Sequence, residues 1–117
     1  MTYVDGFLIP VPTQKREAYR KIAAACAPIF KKHGALSVVE CWGDDVPEGK
    51  LTSFPMAVKL EADESVVFSW ITWPSKEIRD AGNRTVMDEI HELMKDDEIP
   101  FDGKRMIFGG FEAIVEA

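Results

Sequence analysis

Four polar residues interrupt apolar strand-like runs in this chain: Asp5, Glu40, Ser69 and Glu112. A charge inside a sheet needs a partner, because its unpaired burial is costly. If the first and last strands are neighbours, Asp5 and Glu112 face one cavity. They are then either a carboxylate pair with one raised pKa or partners for Arg105 or Tyr3. The alternative is that they occupy strand ends or form structural pairs, since structural networks also perturb carboxylates. A second row, Arg79, Asn83, Met87 and His91, recurs every four residues and so shares one helix face. It reads as the mouth of a pocket with His91 as a proton carrier near neutral pH, or as a solvated helix flank. The weak catalytic candidates are therefore Asp5, Glu112 and His91. Trp42 and Trp73, at strand ends, are the aromatic candidates for a ligand wall. The remaining aromatics suit a core or an interface. Ser69, Arg79 and Asn83 complete the ligand-binding set.

The elements that must position these residues follow from periodicity. The densest β-branched and aromatic run is Val66–Trp73, stopped by Pro74. Before it, Tyr3–Val11 reads as a strand ended by Pro10 and Pro12. Thr13 is the expected N-cap of a helix with apolar residues Tyr19, Ile22, Ala23, Cys26, Ile29 and Phe30 at helical spacing. Pro28 is expected to kink that helix, and Gly34 to cap its end. Leu36–Trp42 is the second strand. Phe54, Met56, Val58 and Leu60 alternate with less apolar residues, predicting an extra edge strand near residues 54–60. Ser75 caps a second helix, and Lys104–Val115 reads as the last strand, with Gly109-Gly110 a bulge or a backbone contact.

Strand–helix–strand, repeated, gives a ferredoxin-like βαββαβ α+β sheet with both helices on one face. Apolar residues fall on both strand parities, so the other face needs cover as well. A second copy of the chain, as a C2 homodimer, is the simplest cover. A length of 117 residues fits a single domain over 1–117.

Composition excludes several classes. The formal charge is −6, with 14 basic against 20 acidic residues, so no nucleic-acid partner is expected. No apolar run is long enough to span a bilayer and no signal peptide is visible, which makes a cytoplasmic location the expectation. Cys26 and Cys41 lack metal or redox spacing, so neither metal nor cofactor is expected.

Certain strings are more specific than any of these patterns. They are Tyr3–Phe7, Glu40–Pro47, Lys50–Pro55, Val67–Ile71 with Pro74-Ser75, and Pro100–Ile107. Together they resemble the bacterial YbaA-like family of unknown function, within the dimeric α+β-barrel superfamily. The resemblance implies the fold and a dimer. That superfamily includes monooxygenases, isomerases and haem-handling enzymes, so it implies no single chemistry. Three readings stay open: a binder of a small, largely apolar molecule; a cofactor-independent monooxygenase or isomerase; and an interaction module without a ligand.

Overall fold

A computed structural model describes residues 2–117. Its elements are β1 (Tyr3–Pro12), a 3₁₀ turn (Thr13–Lys15), α1 (Arg16–Lys32), β2 (Ser37–Trp42), α2 (Phe54–Ala57), β3 (Glu64–Trp73), α3 (Lys76–Met94) and β4 (Ile107–Glu112). The sheet is antiparallel throughout, in the order β2-β3-β1-β4. This is the ferredoxin-like α+β architecture, with the first and last strands adjacent.

β3 is central, as its composition predicts. It pairs with β1 from Tyr3↔Trp73 to Pro12↔Glu64 and with β2 from Ser37↔Thr72 to Trp42↔Val67. β1 continues through Pro10, which the sequence reading placed at its end. Proline is tolerated there because β4 stops at the Leu8↔Ile107 pair, leaving β1 one neighbour.

Strand parity divides the sheet into two faces. Phe7, Ile9, Val11, Val67, Ile71 and Trp73 point toward α1 and α3 and form the core with Tyr19, Phe30 and Val86. Leu8, Phe68, Trp70, Ile107 and Phe111 share the opposite, outer face. That face stays apolar and open: Phe68 is 45% exposed and Phe111 62%. The two facing glycines, Gly6 and Gly109, explain how Phe111 lies there. A Cβ on Gly6 would come 3.6 Å from the Phe111 ring and one on Gly109 3.4 Å, so one edge of the ring passes over both strands. The register through Gly109-Gly110 runs without a bulge, so the backbone-contact reading is the right one.

Three local expectations change. Residues 54–57 form a helical turn, not an edge strand. The Ser53 side chain accepts the Met56 N–H, and Pro55 sits in the first turn, where its missing N–H costs nothing. α1 starts at Arg16 without a side-chain cap. Thr13 instead pairs with the Ser65 hydroxyl at 2.8 Å. β4 is shorter than the sequence suggested. Ser75 caps α3 as expected, its side chain accepting the Ile78 N–H, and Gly34 takes φ +112° after α1. α1 and α3 approach closely at Gly82, where a Cβ would come 2.4 Å from the His33 carbonyl oxygen and 2.9 Å from the Trp73 ring.

Candidate functional site

The polar strand residues separate into two unconnected sets. Asp5 is 7% exposed and lies under α3. It accepts from Arg79 Nη2 at 2.7 Å and from Trp73 Nε1 at 3.0 Å. Arg79 also reaches Asp80 at 2.8 Å and sits over the Tyr3 ring, 5.0 Å from its centroid. Those partners hold the Arg79 guanidinium in its charged form, the Asp5 hydrogen bond foremost. Gly110 makes room for this cluster: a Cβ there would come 2.2 Å from the Tyr3 hydroxyl and 2.7 Å from Arg79 Nη2. Every group in the set is engaged by another, which describes a structural tie between sheet and helix.

Glu112 does not join it. It stands opposite Tyr3 in the register and is exposed, while Asp5 stands opposite Gly110. Asp5 and Glu112 therefore form no carboxylate pair. Arg105 serves neither, holding Glu64 at 2.6 Å and Asp102 at 2.9 Å. Trp73 is wholly buried in the core, away from any wall a ligand could reach. The Arg79–Asn83–Met87–His91 row is split: Arg79 turns inward to Asp5, Asn83 and Met87 border a shallow depression on α3, and His91 is exposed.

The second set is the one with chemistry available. Glu40 and Ser69 are direct partners across β2 and β3. Both face the helices, so Tyr19 on α1 meets them. The Tyr19 hydroxyl donates to Glu40 Oε1 at 2.6 Å, and Ser69 also hydrogen-bonds the carboxylate. Glu40 lies on an edge strand, and much of the residue is open to solvent. Its carboxyl end, however, is crowded by the helix. That burial pushes the carboxyl pKa up, and the two hydrogen bonds only partly oppose the shift. Burial next to Glu40 also pushes the Tyr19 phenol far above its ordinary range. Tyr19 therefore stays a donor, and Glu40 is the member able to exchange a proton.

A groove of about 400 Å³ opens between α1 and β2 over this pair. Ala23, Ala24 and Ala27 form its helix wall, and Val38, Val67 and Trp42 its sheet wall. The small alanines are what leave the space. Arg16 and Arg20 stand along it, with Arg16 held over the Trp42 ring, 5.5 Å from the centroid. Trp42 is thus the sequence candidate that lines this groove, and Ser69 supports it from behind through Glu40. A larger hollow, about 770 Å³, lies among residues of the 43–48 and 55–66 segments. Its hydrogen-bonded lining is spent within the chain: Arg105 holds Glu64 at 2.6 Å and Thr13 pairs with Ser65 at 2.8 Å. Among the described residues, no cluster of His, Cys, Asp and Glu has the geometry to hold a metal ion, and no helix is long and apolar enough to cross a membrane.

Tyr19 and Glu40 escaped the sequence reading as a pair. Tyr19 falls on the apolar stripe of its helix, and Glu40 stood out only as a polar strand residue. The usable signal was the shared parity of Glu40 and Trp42 on a strand next to an alanine-rich helix face.

Comparison with solved structures gives the same architecture. A Nitrosomonas europaea protein named as a candidate antibiotic biosynthesis monooxygenase superposes with a TM-score of 0.58 over 97% of this chain and 90% of its own, at 10% identity. Rv0793 from Mycobacterium tuberculosis gives 0.51 over 100% and 99%, at 13% identity. Likeness at such identities concerns the fold. Sequence comparison is closer: the chain is 57% identical over 116 residues, 99% of each chain, to the uncharacterized protein YbaA of Escherichia coli (strain K12) and of Shigella flexneri. Residues 2–103 match the model of a protein family of unknown function, DUF1428. Sheet order, end-to-end identity and family match agree, and the chain belongs to the DUF1428 family.

Proposed function

We propose that this protein binds a small, largely apolar molecule in the groove between α1 and β2, as a homodimer joined through the outer sheet face. The observation that carries the binding reading is the groove itself: apolar walls of alanine, valine and tryptophan over a Tyr19–Glu40 hydrogen bond. Apolar concave sites with a few converging polar groups are where small ligands bind. Native mass spectrometry and ligand-detected NMR on protein purified from cells test it. The expected result is a co-purifying occupant lost on Ala24→Leu and Ala27→Leu, which fill the groove. An occupant unaffected by both changes would place binding elsewhere.

The dimer is supported by the apolar outer face, where Phe68, Ile107 and Phe111 stay exposed in the single chain. A cytoplasmic, bacterial setting accords with this reading.

A second reading, favoured by the raised Glu40 carboxyl, is an enzyme that moves a proton at this groove. Isomerisation, or cofactor-independent oxygenation of an activated C–H group, both begin with such a step. Glu40 takes the acid–base role that sequence reading offered to Asp5, Glu112 and His91. Under this reading, Glu40→Gln abolishes turnover on a responsive substrate while the occupant still binds.

A further inference from the structure

The polar groups at the mouth of the groove carry a statement about ligand charge. Two arginines stand there, and they differ. Arg20 is neutralised by Glu17, with Nη2 to Oε1 at 2.5 Å and Nε to Oε1 at 2.8 Å. Arg16 forms no salt bridge with any carboxylate among the described residues. Its guanidinium sits over the face of Trp42. Arg16 and Arg84 are the two arginines without a salt bridge among the described residues, and of the two it is Arg16 that lines the groove. Seating over a ring restrains the guanidinium while leaving its fork of N–H donors unspent, and that fork matches a carboxylate.

The strand sets the spacing. Trp42 and Glu40 are two residues apart on one face of β2, about 7 Å along the strand, and Arg16 is seated at the Trp42 end. An anion held at Arg16 is thereby kept clear of Glu40. Val67 stands opposite Trp42 at the arginine end, and the alanines of α1 and Val38 of β2 continue the wall beyond Glu40.

We infer that the ligand of this groove is a flat, apolar carboxylate whose anionic group is held by Arg16 and whose body runs past Glu40 onto the alanine wall. The inference rests on the binding reading above and adds the charge of the ligand to it.

The test uses the full chain and two probes of one shape, cinnamate and its neutral amide, cinnamamide, near neutral pH. Backbone amide NMR shifts at Ala24, Ala27 and Trp42 report the groove. Cinnamate is expected to bind about tenfold more tightly than cinnamamide, the range of one charge-assisted contact. Added salt should shrink that preference. Arg16→Gln should erase that preference, bringing the two affinities together. Arg16→Lys, which keeps the charge and loses the fork, should restore only part. Equal affinity of the two probes, with shifts at the groove, overturns the anion assignment and leaves the apolar groove standing. A preference that survives Arg16→Gln, or that ignores salt, removes Arg16 from the site. Shifts confined to other parts of the molecule, or none with either probe, overturn the binding reading as well.

Discussion

At the scale of single residues, Glu40 and Asp5 show how alike two strand carboxylates look in sequence and how differently they are used. Glu40's carboxyl is raised from the ordinary 4.5, chiefly by burial. The unfolded chain releases that proton at the ordinary pKa, and the folded chain holds it to higher pH. Across that window the folded state binds more protons, so this contribution to stability is present at the low end and lost as pH rises. Glu40→Gln cannot ionise. Its unfolding temperature relative to the natural protein is therefore expected to rise as pH increases from about 4.5 through the raised pKa. Melts at a series of pH values check this, and a difference that stays flat would contradict it. Glu64 behaves in the opposite sense. Arg105 lowers its pKa by hydrogen bonding, so its contribution is present above the ordinary 4.5 and lost as pH falls. Comparison with Glu40→Gln separates the two trends. Asp5→Ala leaves Arg79 with the half-exposed Asp80 as its remaining carboxylate and the buried Trp73 N–H without its acceptor. A loss of about 3–5 kcal/mol in denaturant unfolding is expected. Asp5→Asn, which can still accept from Trp73, should lose less.

At the scale of elements, what could be read in advance depended on whether a residue's meaning was local. Val66–Trp73 and the Ser75 cap were legible because composition and capping act within a few residues. The alternation at 54–60 misled because apolar residues at every second position also suit one turn of helix followed by a buried Val58. Ser53 and Pro55 were the better guides there. The Tyr19–Glu40 contact was not legible, since it depends on which parity of an edge strand meets a helix 21 residues away. The helix pair offers a sharp test of packing. Gly82→Ala drives a methyl into the His33 carbonyl and the Trp73 ring. A destabilisation of about 1–3 kcal/mol is expected in place of the gain alanine gives most helices. Equal or higher stability on thermal unfolding would mean that α1 and α3 part without cost.

At the scale of the whole molecule, the sheet is finished on one side only. Both strand parities of β3 are apolar, as read from sequence, yet α1 and α3 cover one of them, while on the other Phe54 of α2 meets Phe68 and leaves it 45% exposed. Light scattering is expected to give twice the 13.1 kDa chain mass. Phe68→Asp should return the mass to that of one chain with little change in helical circular dichroism, because Phe68 lies outside the core. A dimer that survives Phe68→Asp would have to be built on another surface.

The two facing glycines of β1 and β4 have a mechanical meaning beyond packing. With no side chains beneath it, the Phe111 ring works like a hinge pin laid flush in a slot. An alanine methyl at Gly109 would only touch the ring, at 3.4 Å, but the branched side chain of Gly109→Val must extend beyond that contact and should tip the ring outward, as a wedge does, without adding any charge. If the outer face seats a second copy, that side chain alone should weaken assembly by prising two surfaces apart. Phe111→Ala combined with Gly109→Val, which removes what the valine lifts, should recover part of the lost association.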